Sequence, residues 1–467
     1  MSTTADASSN TQSAPVHSRG RLLQVLGVWF GISAAVGNAI AAGIVYTPGQ
    51  IGQSLPNPWY FIGVWIIGGF YALVGASSMA ELGVLIPRSG GQYNFSRRAL
   101  GEYPGFIVGW SDWLSTCGTA ASVSFVVGDY TSYFFPVLAG ETRIKILQIA
   151  IIAGFAVLQW RGISWGRGAQ LISAALKSAA FLVLVLACIV RGSGAHALAA
   201  QANASPLAMP SGQLLFVAML LSLQAVIYTI DGWDGVVYFG GEVRNPGRDM
   251  PRAIFGSVFS VMGIYLLLNL VSLYIVPMKE IAGNTFVLGT VANKVFGALG
   301  DPIIRSIMIV SMLSCLNANQ LFCTRTLYIM STDRLFFRPF TRVNSGGTPT
   351  LSLLLSTIVG IIFVLGTFKR VIAMLSFFFV ANYTLSYLSH FVLRFREPNL
   401  ERPYRAWGYP ITTGLALFGS VAFLIGSIIT DRDNAPLALG LLVLSYPVFL
   451  ALRWASNRPE KTATSAA

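Results

Sequence analysis

The sequence predicts an all-α membrane protein with about twelve transmembrane helices, and three observations carry that expectation. Of 467 residues, 54% are hydrophobic and only 10% are charged, whereas a soluble domain carries about 25% charged residues. A water-facing globule is excluded. The uncharged runs are long: Leu22 to Ala80 covers 59 residues without Asp, Glu, Lys or Arg, Gly192 to Ile230 covers 39, and Ala253 to Met278 covers 26. A spanning helix needs about 20 mainly apolar residues, so the first run holds two spans. These runs also lack the alternation of polar and apolar residues over about 10 positions that marks a transmembrane β-strand.

Taken in order, residues 1–21 are polar and rich in Ser, Thr and Ala, which predicts a disordered tail. They lack the basic region, apolar core and cleavage site of a signal peptide. Residues 22–455 then form one membrane domain, and residues 456–467 a second tail. Apolar length bounded by Pro, Gly and charged clusters places spans near 25–52, 59–86, 103–135, 144–160, 168–190, 213–240, 253–277, 301–330, 349–367, 371–393, 408–430 and 435–453. The longest connection, about 191–212, is rich in Ala, Gly and Ser and too short for a folded domain, so the function is expected within the bilayer.

The formal net charge of +13 suggests nucleic acid in a soluble chain, but here it serves orientation. Lys and Arg number 20 in one set of alternate connections and 9 in the other. That bias puts both termini in the cytoplasm. Basic residues spread over seven segments form no single patch, which argues against nucleic acid. Cys117, Cys188, Cys315 and Cys323 lie in apolar surroundings without CxxC spacing, and His17, His196 and His390 are scattered. No metal site and no cofactor are expected.

Two spans carry interruptions. The first contains GNAIAAGIVYTPG, Gly37 to Gly49, and the sixth contains YTIDGWDG, Tyr228 to Gly235. Paired interruptions in the two halves of a membrane protein point to a solute site. Unwound backbone survives in lipid only where it lines a cavity, and there it offers N–H and C=O groups to a ligand. A restarted half-helix turns its positive end toward that cavity and favours a carboxylate. The candidate binding residues are Asn38, Ala39, Ala41, Ala42 and Gly43 of the first span, Tyr228, Ile230 and Asp231 of the sixth, and Asn317 of the eighth. Tyr228 and Trp233 flank the second interruption and are candidate gates.

Lys177 stands ten residues past Arg167, about 15 Å along a helix, near the middle of a hydrocarbon core about 30 Å thick. It either snorkels to the surface or presents an amine to the polar interior. Asp231 either caps a helix or receives a positively charged group. Asp112 and Asp129 read as interfacial or internally bonded residues. Asn317 either ties helices together or faces a solute.

Four segments carry a resemblance. They are GNAIAAGIVYTPG (37–49), AELGVLIPRSGGQYNF (80–95), TIDGWDGVVYFGGEVRNPGRDMPRAI (229–254), and TRTLYIMSTDRLFFRPF (324–340) with REPNLERPYRAWGYP (396–410). Together they resemble the amino acid-polyamine-organocation (APC) superfamily of permeases, including the L-amino acid transporters and their prokaryotic relatives. The resemblance implies a leucine-transporter (LeuT-type) fold of 5+5 inverted repeats, here about 25–191 and 213–397, plus two C-terminal helices at about 408–453. It implies secondary active amino-acid transport by alternating access, in a prokaryotic inner membrane, proton-coupled or exchanging without sodium. By the same resemblance, backbone near Ala41, Ala42 and Gly43 would hold a substrate carboxylate and carbonyls from Tyr228 to Asp231 its amine. Tyr228 would be the aromatic gate, and Lys177 would take the place of a sodium ion. The chain departs from the pattern where Ala41-Ala42-Gly43 replaces the usual Gly-Ser-Gly, and at Ile230, often aromatic. The loop Pro136 to Lys145 has no cysteine, so no disulfide-linked glycoprotein subunit is expected. The alternatives are a non-transporting amino-acid sensor of the same fold and an intramembrane enzyme. The short tails argue against a sensor, and the lack of HExxH, GxSxG or a histidine cluster argues against an enzyme.

Overall fold

A computed structural model describes residues 22–191, 208–366, 368–430 and 435–457. Residues 1–21 and 458–467, with His17, His196 and most of the connection between 191 and 212, lie outside them. The first span is α1 (Val28–Ala39) and α2 (Gly43–Ser54), bent by 52° at a three-residue break. α3 (Pro58–Leu85) starts where Asn57 accepts the Trp59 N–H at 2.9 Å with Pro58 in the first turn, the expected chemistry of a helix start. A short α4 (Tyr93–Leu100), which the span assignment did not anticipate, joins α5 (Glu102–Phe134) through Gly101 at φ +106. α6 (Glu141–Trp160), α7 (Ile163–Arg191) and α8 (Gly212–Ile230) follow.

After α8 the chain does not resume as an α-helix. It continues in two short 3-10 turns, Gly235–Tyr238 and Gly240–Glu242, before α9 (Pro246–Ile275). Two further short helices, α10 (Met278–Ile281) and α11 (Val287–Phe296), precede α12 (Gly300–Thr332). The chain ends in α13 (Thr350–Val364), α14 (Phe368–Arg396), α15 (Ile411–Thr430) and α16 (Ala435–Asn457). No strand occurs among the described residues, only three isolated β-bridges.

Each of the twelve expected spans contains an α-helix, but in the sixth it ends at Ile230, ten residues short of the expected end. Among the described residues six helical stretches are long and apolar enough to cross a membrane, and the bent α1–α2 pair, taken as one span, makes a seventh. α5 falls short in hydropathy because its buried face carries Ser111, Asp112, Ser115, Thr116, Ser122 and Ser124. Polar groups buried in a bundle need internal partners, and here they find them across α5, α12 and α14.

One face of the bundle gathers the arginine-rich connections. There Arg88 and Arg97 pair with Asp333 at 2.7 and 2.8 Å, and Arg394 and Arg402 with Glu81 at 2.6 and 2.9 Å. On the opposite face the segment after α10 lies directly on α2, where the Gly283 N–H donates to the Gly49 carbonyl at 2.8 Å. A Cβ on Gly49 would run into the Asn284 backbone, which cannot rotate away as a side chain can. Gly49→Ala is therefore expected to cost about 1–3 kcal/mol by overpacking. A thermal unfolding series in detergent checks this, and an unchanged midpoint would show that the segment yields freely.

Candidate functional site

Breaking a helix leaves carbonyls at one end and N–H groups at the other without partners. At the end of α1 each carbonyl finds a side chain from another helix. Lys177 Nζ on α7 donates to the Gly37 and Ile40 carbonyls, both at 2.9 Å. Ser311 Oγ on α12 donates to Ile40 at 2.6 Å, Tyr265 Oη on α9 to Ala39 at 2.7 Å, and Cys315 Sγ on α12 to Asn38 at 3.3 Å. The start of α2 is treated differently: Ala42, at its N-cap, makes no side-chain capping bond. The acceptor end of the break is thus bonded by side chains of other helices, while no side chain caps the start of α2.

α8 ends as Asp231 leaves the helix with extended backbone (φ −54, ψ 149). Gly232 follows at φ +98, a conformation that favours glycine, and its open side is filled by the Asn38 side-chain amide. The two breaks therefore touch. Thr47 of α2 and Thr229 of α8 share a hydroxyl contact of 2.6 Å, and the Tyr265 hydroxyl lies 3.3 Å from the Thr229 carbonyl as well as on Ala39. Tyr265→Phe would leave the Ala39 carbonyl unpaired at a cost of about 1–3 kcal/mol, so the thermal unfolding midpoint in detergent should fall. A midpoint equal to wild type would remove Tyr265 from the support of the breaks.

Between the breaks lies a cavity of about 320 Å³, a size suited to a small solute. Of the residues expected from the sequence, Asn38, Ala39, Ala41, Ala42, Gly43, Tyr228 and Asp231 line it. Ile230 is buried beside it without lining it. Lys177 is 0% exposed and sits behind the break, bonded to its carbonyls instead of snorkelling. Asn317 ties helices together: its side-chain amide donates to Gln170 Oε1 at 2.8 Å and to the Gly166 carbonyl at 3.1 Å, and it accepts from Gln159 at 3.0 Å. Trp233 stacks on Tyr383 at 5.7 Å, beneath the cavity.

Sequence reasoning missed Thr47, Thr119, Ser122 and Cys315 in the lining, and Tyr265 and Ser311 behind it. Each is one polar residue among several in an apolar helix, and nothing local distinguishes it.

On the arginine-rich side, packed polar groups close off the cavity. Asp234 accepts from Gln92 at 2.8 Å and from Tyr383 at 3.1 Å. Asp112 accepts from Tyr238 at 2.6 Å and Thr326 at 3.0 Å. Below them Glu242 pairs with Arg325 at 3.1 Å, both almost wholly buried. Tyr46, Gln50 and Phe379 also line the cavity. Among the described residues, no group of three or more His, Cys, Asp or Glu is arranged to hold a metal ion.

A multi-pass helical protein that meets a polar cavity with two interrupted spans has the architecture of a membrane solute carrier. Residues 26–446 match the amino acid permease family profile, and the chain belongs to that family. It is 26% identical over 445 residues to the serine/threonine exchanger SteT of Bacillus subtilis, covering 92% of this chain and 97% of that one. Mouse solute carrier family 7 member 13 is 28% identical, covering 83% of this chain and 81% of its own. The human b(0,+)-type amino acid transporter 1 is 25% identical, with 82% and 79% covered. These relatives are transporters, not enzymes, and the chain is a membrane transporter of amino acids.

Proposed function

We propose that this protein is a secondary active, sodium-independent amino-acid permease, proton-coupled or exchanging, which works by alternating access with its substrate between the start of α2 and the end of α8. The observation that carries the reading is the unequal treatment of the first break. Its carbonyls are bonded to protein, while the uncapped start of α2 faces a cavity sized for a small solute. An uncapped helix start favours a carboxylate. Carbonyls at the end of α8, with Asp231, offer acceptors to the substrate amine, and the Tyr228 ring lies against the cavity as a gate, with Trp233 below it.

Lys177 carries the coupling assignment. Its ammonium bonds two carbonyls that a metal cation would otherwise have to find free, which supports independence from sodium. SteT is named an exchanger, which favours exchange. The closely packed polar contacts on the arginine-rich side fit a carrier closed to the cytoplasm, with both termini in the cytoplasm and the chain in a plasma membrane. The four cysteines are buried and the loop after α5 has none, which supports function without a disulfide-linked subunit.

The test is uptake into proteoliposomes from a panel of labelled amino acids, with and without sodium and with and without a pH gradient. Accumulation or exchange that ignores sodium is expected. Uptake of nothing in the panel, or uptake only with sodium, would contradict the proposal.

A further inference from the structure

Each serine and threonine hydroxyl on the cavity lining has one proton to donate, and each has an acceptor of the protein within reach. Thr119 Oγ1 donates to the Ser115 carbonyl at 2.9 Å, and Ser122 Oγ to the Thr119 carbonyl at 3.0 Å. Thr229 Oγ1 donates to the Ala225 carbonyl at 2.8 Å. Because that proton is used, the 2.6 Å contact between Thr47 and Thr229 is a donation from Thr47. The Cys315 thiol is committed to the Asn38 carbonyl. All four alcohols and the thiol that line the cavity therefore turn their protons into the protein.

What these groups have left for a ligand is oxygen and sulfur lone pairs. Asp231, the one ionisable acid or base on the described lining besides the tyrosines and Cys315, adds two more acceptor atoms. The donor-bearing groups of the lining are others: the Asn38 amide and the first turn of α2 at the break, the Tyr46 and Tyr228 hydroxyls and the Gln50 amide. The wall formed by Thr119 and Ser122, three residues apart and so on one face of α5, consists of acceptors.

We infer that this wall receives the substrate's side chain and selects one that donates hydrogen bonds, a hydroxyl, an amide or an ammonium, and rejects one that carries a carboxylate. The inference rests on the reading above, that the cavity is the substrate site, and adds the class of side chain it accepts. A carboxylate there meets no donor unless a hydroxyl abandons a bond it already makes, and it meets the Asp231 oxygens at close quarters. An amide of the same shape finds acceptors already in place. Selection between such isosteres is strong where a site's buried polar groups would otherwise go unpaired.

The experiment uses the full-length protein in phosphatidylethanolamine–phosphatidylglycerol vesicles and the labelled amino acid it takes up best. Unlabelled competitors are offered as matched pairs, asparagine against aspartate and glutamine against glutamate, with serine and lysine to separate hydroxyl and ammonium donors from amides. The amides are expected to compete at concentrations lower than the acids by about tenfold or more. Thr119→Val and Ser122→Ala, measured as the amide-to-acid ratio within each variant so that expression cancels, should each narrow that ratio severalfold, and Thr119→Ser should restore it. Acids that compete as well as amides in the wild type overturn the inference, as does a ratio unmoved in both variants. A wild type that takes up no amino acid at all overturns the transport reading instead.

Discussion

Lys177→Ala is expected to cut transport by about a hundredfold or more while leaving the protein inserted and monodisperse. The ammonium makes two hydrogen bonds to carbonyls that the break in the first span has released, and bonds to a charged group contribute about 1.5–3 kcal/mol each. In the variant Ile40 keeps the Ser311 hydroxyl, but the Gly37 carbonyl loses the ammonium and the cavity's back wall loses its positive charge. The start of α2 is then no longer held at a fixed angle to α1, and an N–H cluster that must meet a carboxylate works only if it is held in place. Initial rates per reconstituted protein, with a size-exclusion profile for each variant, separate this from misfolding. Wild-type rates with an unaltered pH profile would sink the role assigned to this lysine. Lys177→Met is the useful companion because it restores the bulk without the charge. Recovery there would mean that packing alone supports the break.

The second large effect is expected at the arginine-rich end. Arg325→Met removes the cation that faces Glu242, whose carboxylate would keep only a 3.4 Å contact from Ser89. Removing one partner of a buried pair costs about 3–5 kcal/mol, because the survivor is left charged and desolvated. The protein should lose thermal stability and expression together. Adding Glu242→Gln should return part of both, since the uncompensated charge is then gone. If Arg325→Met alone melts with the wild type, the pair is not what holds the 3-10 segment after α8 against α12.

The sequence exposed the breaks more plainly than their supports. Glycines at 37, 43 and 49 beside Pro48, and Asp231 with Gly232 inside an apolar run, are local anomalies, and the backbone does leave the helix at both places. Lys177 was legible as a buried charge because charge in an apolar span is rare and has to be answered. Asn317 shows the converse: an amide among buried polar neighbours on α12, it turned out to bridge Gln159, Gly166 and Gln170. On the same helix Cys315, two residues before it, and Ser311, six residues before it, do reach the first break. The short α4, α10 and α11 were passed over because too few residues stand in each to show a period.

By itself, then, the sequence determined that the chain is a multi-spanning helical protein, which family it belongs to, and where two of its spans are interrupted. Those properties follow from composition, from apolar length and from residues that act on their own backbone. Only the tertiary structure decided which side chains bond the freed carbonyls, and that the cavity's alcohols spend their protons inward. In lipid a helix can be apolar on its outer and inner faces alike. The periodicity that orients a soluble helix is therefore weak here, and a helix's rotation about its own axis is set by the helices packed against it.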